Sequence, residues 1–243
     1  LLWNLGQKGQ GPNEFELVRD MAFDAQGGIH TLDTGNGRIS RLVEGRVVNR
    51  IPLGAAVAPE GIAAANGVSR LLVMGPEPLL TLDSAGAVVR RDRFPHIDPD
   101  LHPMAAQAII AGTPEQWALA FLFGGGWIGA PSDKSGDTFH RRIVADPGFP
   151  QVEIVGKFGA RLIEAQPVVK SISISDDTVY LHTYSGPEGP GFLDRFSLQN
   201  GEYQGSWRLP PEAAHSFASS VSESHVALLK ADPSPTLLLY ERR

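Results

Sequence analysis

The sequence contains no cysteine, and this absence excludes several kinds of chemistry at once. Without thiols there is no disulfide, no thiolate metal site and no cysteine nucleophile. Long apolar runs are also missing, and none approaches the ~20 residues that a membrane-spanning helix requires. The lack of cysteine leaves the cellular compartment open, because a well-packed β domain folds without disulfides.

Familiar catalytic and nucleotide-binding patterns are missing as well. The sequence has no Gly-x-Ser-x-Gly nucleophile elbow and no His-Glu pair of the zinc-protease type. Residues 6–11 are rich in glycine, but no helical pattern follows to present its N-terminus to a phosphate. Patterns typical of helices are nearly absent throughout, so the class of protein has to be inferred from strands and turns.

Positive charge is also in short supply. The 21 basic residues are outnumbered by 27 acidic ones, which gives a formal net charge of −6 at pH 7. A net negative surface repels phosphate backbones, so we predict no nucleic-acid partner. The short basic clusters at 90–93 and 141–142 are typical of solvated outer strands.

What the sequence does contain is a repeated pattern of four short strands, named a to d here. In residues 18–52, four runs with alternating apolar residues are separated by turn sequences at 25–28, 34–37 and 44–45. Such runs with tight turns predict a four-stranded antiparallel meander. The 27 glycines and 19 prolines of the chain suit an architecture with many turns.

The meander recurs along the chain, and repeated four-stranded meanders are typical of a β-propeller. We predict an all-β fold, a β-propeller of five or six four-stranded antiparallel blades forming a single domain over residues 1–243. The N-terminal strand is expected to close the last blade and so remove two exposed sheet edges. A β-sandwich is the structural alternative. The approximate blades are 18–52, 59–94, 105–156, 167–208, and 215–242 completed by 1–5.

Three linked motifs in the first blade resemble the NHL-repeat family and the related six-bladed propellers. Gly9-Gln10-Gly11-Pro12-Asn13-Glu14-Phe15 is similar to the family's Gly-x-Gly-Pro-Gly-Glu-Phe loop, with asparagine in place of one glycine. Residues 21–30 match its strand a, turn and strand b, and 33–39 match its Asp-x-x-Asn-x-Arg-Ile pattern. The resemblance implies the propeller fold but leaves the function open, because the family includes scaffolds, RNA binders and enzymes.

The motif residues themselves favour a structural interpretation. Asp33 and Asn36 have short polar side chains that can cap the b–c turn. Arg38 is expected to reach a neighbouring carboxylate. The chain starts at Leu1 without a methionine or a signal-like segment, so we expect a mature or truncated product whose targeting segment is not present in this chain.

The connections between strands predict which face of the propeller is functional. In a propeller, strand a lines the central channel, and the d–a and b–c connections emerge on one face. The longer connections, at 6–15, 95–103, 124–138 and 185–191, are assigned to that face. Since binding residues concentrate in long loops on a rigid scaffold, the d–a/b–c face is the predicted working face.

Two histidines in the second long connection form a possible metal site. His96 and His102 flank Asp98 and Asp100, with one such residue at every second position. In an extended segment this spacing points all four side chains to one side, within reach of a metal ion. The alternative is a polar loop shaped by its prolines.

Other candidates lie next to the remaining long connections. Trp127 follows a glycine-rich hinge and could stack on a ligand or simply pack over the channel mouth. His182 and Tyr184 end a strand b, and His140 follows the blade-3 insertion. Each is a possible polar contact, although a lone histidine is more often merely hydrogen-bonded within the protein.

Four polar residues stand near the start of a strand a, where side chains approach the channel: Asp20, Glu60, Lys170 and His215. Lactonases of the senescence-marker type use acidic and amide residues at such positions to hold a divalent metal. Glu60 fits that resemblance, but the later blades offer Lys170 and His215 instead of the expected partners.

We therefore predict a non-catalytic, monomeric propeller that binds a protein, peptide or glycan on the d–a/b–c face. The alternative is a metal-dependent lactonase or lyase with its site at the channel mouth; only this alternative calls for a cofactor, a divalent metal. RNA binding, known in the family, is disfavoured by the charge. Because many relatives resemble bacterial exported proteins or lipoproteins, we expect an extracytoplasmic location. The candidate ligand-binding residues are Asp20, Glu60, His96, His102, Trp127, His140, Lys170, His182, Tyr184 and His215.

Overall fold

The chain is an all-β protein, seen in a computed structural model. Its strands assemble into antiparallel sheets in a propeller arrangement, which confirms the predicted fold class. The chain divides into two compact units, residues 1–99 with 112–115 and residues 100–111 with 116–243. The structure describes residues 6–54, 58–65, 68–73, 77–94, 98, 100–113, 115–130, 138–143, 148–157, 159–184, 189–213, 216–230 and 235–242.

The first unit contains two four-stranded sheets in which each strand pairs with the next along the chain. The strands of the first sheet are β1 (Val18–Phe23), β2 (Ile29–Asp33), β3 (Arg38–Val43) and β4 (Arg46–Pro52). The strands of the second are β5 (Pro59–Ala65), β6 (Val68–Val73), β7 (Leu79–Leu82) and β8 (Val88–Asp92).

A shared apolar core joins these two sheets. Leu32 and Ile39 from the first sheet pack with Ile62 and Leu71 from the second, and all four are almost completely buried. The alternation of the strands explains the arrangement, since every second side chain of β2 and β3 points to the same face. Burial of this face on both sheets supplies the main stabilisation of the unit.

The second unit contains the remaining sheets. The third sheet consists of β9 (Ala108–Gly112), β10 (Trp117–Phe121), β11 (Gly126–Ala130) and β12 (Phe139–Arg142). A separate two-stranded hairpin follows, β13 (Gln151–Val155) and β14 (Gly159–Ile163). The fourth sheet consists of β15 (Val169–Ser175), β16 (Thr178–Tyr184), β17 (Gly191–Ser197) and β18 (Tyr203–Arg208). A short 3₁₀ helix (Pro211–Ala213) leads to the fifth sheet, which consists of β19 (Ala218–Val221), β20 (His225–Lys230) and β21 (Thr236–Glu241).

Two apolar clusters hold this unit together. Trp127 and Phe196 meet in the first, between the third and fourth sheets, with ring centroids 5.3 Å apart. Tyr180, Leu193 and Leu228 belong to the second, between the fourth and fifth sheets. The fourth sheet is therefore buried on both faces, and its side chains contribute to both clusters.

The described residues form five blades, four with four strands and the last with three. A sixth blade, which the family resemblance implies, is not among them. The N-terminal segment 1–5, expected to complete the last blade, lies outside the described residues.

The third blade differs from its predicted range of 105–156. Its strand d is β12, which pairs with β11 and ends at Arg142. The alternating run 151–155 pairs instead with 159–163, immediately after a turn that contains Gly156 in the left-handed region. A tight local turn joins two neighbouring apolar-alternating runs directly, so they form their own hairpin.

Candidate binding site

The two acidic candidates of the first unit have partners within the protein. The Oδ2 atom of Asp20 on β1 accepts a hydrogen bond from the Ile62 amide at 2.9 Å, and its Oδ1 accepts one from the Met21 amide. Burial raises the pKa of Asp20 in spite of these hydrogen bonds. Glu60 on β5 forms an ion pair with Arg19 of β1. Both carboxylates thus link strand a of the first blade to strand a of the second.

Lys170 occupies the equivalent region of the second unit. It is the extra residue of a β-bulge in β15, between the residues that pair with Thr183 and His182. Its Nζ donates to the backbone carbonyl of Ser216 at 3.0 Å, and burial lowers its pKa. The bulge turns this side chain towards the neighbouring blade, where it ties β15 to the segment before β19.

His182 is fully buried on β16. Neither ring nitrogen has a hydrogen-bond partner among the described residues. Burial lowers the pKa of His182 to about 4, and the charge of Lys170 adds to the effect. The imidazole is therefore neutral at physiological pH.

Trp127 is a core residue. Its side chain is completely buried in the cluster between the third and fourth sheets. This burial agrees with the packing alternative, because a completely buried indole presents no open face in this structure. The glycine-rich segment before it serves the b–c turn, where Gly125 takes a positive φ and Gly124 leaves room for the Phe149 ring.

The remaining candidates are dispersed. His140 on β12 lies over Gly126, where an added Cβ would come within 2.8 Å of its Nε2. His102 accepts a hydrogen bond from the Met104 amide at 3.2 Å through Nδ1, which shapes the turn before β9. His96, His215 and the side chain of Tyr184 lie outside the described residues. Across the part of the chain that the structure describes, no group of three or more His, Asp and Glu side chains could hold a metal ion.

The motif residues of the first blade hold the Gly9–Phe15 loop in place. Asn36 donates to the Gly9 carbonyl at 2.9 Å and to Asp33 at 2.7 Å. Arg38 donates to the carbonyls of Gly11 and Glu14 at 2.8 and 2.5 Å. The expectation that Arg38 reaches a carboxylate is therefore corrected, because its guanidinium binds backbone carbonyls of the loop.

Asp33 completes this support from the other side. Its carboxylate accepts hydrogen bonds from the amides of Glu16, Leu17 and Asn36. Burial of Asp33 opposes ionisation, but the hydrogen bonds outweigh it and lower its pKa. A buried, ionised aspartate thus joins the b–c turn to the d–a loop.

One long connection belongs to the opposite end of its sheet. Strand β11 ends at Ala130 and β12 begins at Phe139, so the chain between them connects strands c and d and not b and c. Residues 131–137 of this connection lie outside the described residues. The assignment of 124–138 to the d–a/b–c face is therefore wrong for most of its length. The β13–β14 hairpin takes its place, because it elaborates the d–a connection between β12 and β15.

The β13–β14 hairpin has one apolar and one mixed face. Cross-strand pairing places Val152 opposite Leu162 and Ile154 opposite Ala160 on the apolar face. The other face carries the ion pair of Glu153 with Arg161, at 2.5 Å. On the apolar face Ile154 is 65% exposed, although an apolar side chain of this size gains most from burial.

A cluster that the sequence pattern did not single out lies at the a–b turn of the first blade. Asp24 is buried, and its Oδ2 accepts hydrogen bonds from Arg41 Nε at 2.5 Å and His30 Nε2 at 3.1 Å. Its Oδ1 accepts from the amides of Gln26 and Gly28. Burial opposes the ionisation of Asp24, but the hydrogen bonds from Arg41, Gly28 and His30 hold its pKa well below its usual range.

Asp24 and His30 lie within the 21–30 motif that carries part of the family resemblance, where they are indistinguishable from framework residues, and Arg41 lies just beyond the 33–39 motif. The pairing of β2 with β3 places His30 opposite Arg41. This register places His30 and Arg41 side by side, where both can reach Asp24. The register is established only when the strands pair in the folded sheet, so the sequence does not show it.

Solved structures similar to this chain include β-propellers, which agrees with the propeller arrangement of the sheets described above. Virginiamycin B lyase from Staphylococcus aureus matches with a TM-score of 0.56 at 14% identity, over 95% of this chain and 73% of that one. A structure of the nidogen/laminin complex matches with a TM-score of 0.57 at 10% identity, over 92% and 75%. U3-55K matches with a TM-score of 0.53 at 13% identity, over 95% and 68%.

These likenesses concern the fold alone, because the identities are low. No protein-family model matches the chain, and no curated protein matches it. Among the described residues, no helix is both long and apolar enough to cross a membrane.

Proposed function

We propose that this protein is a non-catalytic binding propeller that docks an extended, apolar protein or peptide segment on the β13–β14 hairpin. The observation that carries the proposal is the partly exposed apolar face formed by Val152, Ile154, Ala160 and Leu162. It stands on a d–a connection, where loops of a propeller present binding residues.

The geometry of the hairpin favours a peptide over a glycan. The two strands form a sheet of their own within the described residues, so the outer edges of β13 and β14 are unpaired there. An extended peptide can add a strand to such an edge and place its apolar side chains against Ile154. An isolated two-stranded hairpin is only marginally stable, and a bound partner would stabilise it by burying this face.

The charge of the hairpin supports an apolar partner. Glu153 and Arg161 neutralise each other, so neither sign dominates the mixed face. A strongly charged ligand would gain little from this surface.

The alternative of a metal-dependent lactonase or lyase receives no support from the described residues. Asp20 and Glu60, which would have to converge on a metal, are engaged with the Ile62 amide and with Arg19. The solved structures that resemble this chain include both a lyase and a complex between two proteins. Their likeness extends to the fold and does not choose between the two functions.

Membership of the NHL-repeat family is part of the proposal. Its support is that Asn36 and Arg38, residues of the third motif, donate hydrogen bonds to carbonyls in the loop of the first motif. The extracytoplasmic location, for which the family resemblance is the only argument, is proposed with it.

The proposal is tested by selecting binders from a random peptide display library against the whole chain. We expect enriched peptides with apolar residues at alternate positions. Ile154→Ser should weaken the binding of the selected peptides by about tenfold, because it removes an apolar contact from the centre of the surface. The measurement is the dissociation constant of a synthetic peptide by fluorescence anisotropy.

Val89→Ser provides the matched control, because Val89 is a similarly exposed aliphatic residue (59%) on strand β8. Equal weakening by both substitutions would contradict the proposal, as would a selection without enriched peptides. Stoichiometric calcium or zinc in the purified protein would instead favour the enzyme alternative.

A further inference from the structure

Strand a carries a β-bulge in three of the blades, which gives a common reference for comparing their positions. The bulge residues are Arg19 in the first blade, Glu60 in the second and Lys170 in the fourth. Two residues after the bulge stand Ile62 in the second blade and Ile172 in the fourth, both buried. Ile62 belongs to the apolar core shared with the first blade, and Ile172 to the one shared with the third. This position is therefore buried against the preceding blade.

In the first blade the same position is open to solvent. Met21, two residues after the bulge, is 61% exposed, and Phe23, two residues further, is 66% exposed. The residue equivalent to Phe23 in the second blade is Ala64, which is completely buried. Ala22, between the two large side chains, packs against the shared core of the first unit, so strand alternation points Met21 and Phe23 to the other face of the sheet.

A hydrogen bond between neighbouring blades aligns the fifth sheet with the others. The Ile62 amide donates to Asp20 on strand a of the first blade, at 2.9 Å. In the same way, the Ser219 amide donates to Ser171 on strand a of the fourth blade, at 2.8 Å. Asp20 and Ser171 each directly follow a bulge residue. Ser219 therefore occupies the position of Ile62, and Ala218 before it occupies the position of Asp20.

This alignment shows that the last blade leaves open the face that the first blade buries against its successor. Leu32 and Ile39 of the first blade form a cross-strand pair that is completely buried in the core shared with the second blade. By the pairing of β19 with β20, their equivalents in the last blade are Leu229 and Leu237, also a cross-strand pair. Leu229 is partly exposed and Leu237 is 65% exposed, and Leu239 on the same face is 62% exposed.

The two open faces are the two sides of one kind of contact. The face with Met21 and Phe23 is the side on which a blade meets its predecessor, and the face with Leu237 and Leu239 is the side on which a blade meets its successor. A second copy of this chain presents, on its first blade, the surface that matches the last blade. None of the four side chains is charged, so their burial costs no desolvation of an ion and gains the full apolar contribution.

We propose that the open face of the last blade binds a second copy of this chain, on strand a of that copy's first blade. Leu237 and Leu239 of one copy then pack on Met21 and Phe23 of the other, in the way that successive blades pack within one chain. The contact is heterologous, because the two copies contribute different surfaces to it. It does not involve the β13–β14 hairpin or rest on the proposed function, and it replaces the monomer that the sequence predicts.

The test is light scattering of the purified chain over concentrations from about 1 to about 200 µM. We expect the mass to rise from the 26.1 kDa of one chain towards at least twice that value. Leu239→Lys should weaken the association by about tenfold or more, because it places a charge in an apolar contact, and Met21→Lys should do the same from the other side. Val89→Lys is the matched control, since Val89 is a similarly exposed aliphatic residue on β8, and it should associate like the unmodified chain.

A mixing experiment shows which surfaces meet. The Leu239→Lys chain keeps the first-blade face and the Met21→Lys chain keeps the last-blade face, so an equimolar mixture should associate although neither variant does so alone. The proposal is overturned if the unmodified chain keeps the mass of one chain at every concentration, if the mixture does, or if Val89→Lys weakens the association equally. Loss of binding of the display-selected peptides in Leu239→Lys would assign the face to a peptide and overturn it as well.

Discussion

His182 shows how far a single residue departs from what its type suggests. At the end of a strand b it has the position of a ligand contact, yet its side chain is completely buried. Its ring nitrogens are unpartnered among the described residues, and its charge is disfavoured by burial and by Lys170. The depth at which His182 is buried keeps it neutral and away from solvent. No local pattern in the sequence encodes burial depth at a single position.

His182 should make the stability of the protein pH-dependent. Its pKa is about 4 in the folded protein, against the ordinary histidine value of 6.5, so the unfolded chain binds more protons between these values. The stabilisation associated with a neutral His182 is fully present above pH 6.5 and is lost as the pH falls towards 4. The total loss in the free energy of unfolding is on the order of 3 kcal/mol. Urea unfolding across this range measures it.

His182→Leu should remove this part of the pH dependence, because leucine has a similar volume and no proton to bind. His225→Gln, a change at a partly exposed histidine at the start of β20, should leave the dependence as in the unmodified chain. A His182→Leu variant with the original pH profile would show that His182 does not titrate as described.

At the scale of elements, the Gly9–Phe15 loop is the feature that the sequence predicted well. The loop and the 33–39 motif were recognisable because residue type at fixed spacing carries the information. Their mutual contact was not, and neither was the use of Arg38 on backbone carbonyls. The contact spans more than twenty residues of chain, so only the folded sheet brings the two motifs together.

Arg38→Ala should loosen the Gly9–Phe15 loop. The substitution removes two hydrogen bonds from a charged donor, so we expect a loss of about 2–3 kcal/mol in the free energy of unfolding. Hydrogen exchange should accelerate at the Phe15 amide, which bonds to the Gln7 carbonyl at 2.9 Å. Arg46→Ala, on the exposed side of β4, is the control and should change neither quantity. Unchanged exchange at Phe15 in Arg38→Ala would disprove the supporting role.

The β13–β14 hairpin is the element that sequence analysis placed wrongly. Its alternation is visible in residues 151–155 and 159–163, but alternation shows only that a strand forms. It does not identify the partner strand. A compatible turn favours pairing with the adjacent run, and here the turn at Gly156 places residues 159–163 beside 151–155.

At the scale of the whole molecule, charge is the property with the most direct consequence. The net charge of −6 is accompanied by local neutralisation of the basic cluster 90–93. Arg90 pairs with Asp92 and Arg93 pairs with Glu77. The longest basic cluster of the chain is therefore compensated by neighbouring acids.

We accordingly expect no measurable affinity for RNA at physiological salt. Binding to a phosphate backbone depends on uncompensated Lys and Arg side chains, and the overall field is repulsive. Fluorescence anisotropy with a labelled single-stranded RNA, at physiological and at low salt, measures this. Saturable binding at physiological salt would contradict the prediction and reopen the RNA-binding function known in the resembling family.

The sequence by itself determined the class of fold, because strand alternation and turn residues are local properties and a propeller repeats them blade by blade. It also located the motifs of the first blade. Only the tertiary structure decided that Trp127 is core, that residues 151–163 form their own hairpin, and that His30 and Arg41 meet at Asp24. These outcomes depend on burial and on pairing between distant segments, and both arise only when the sheets pack.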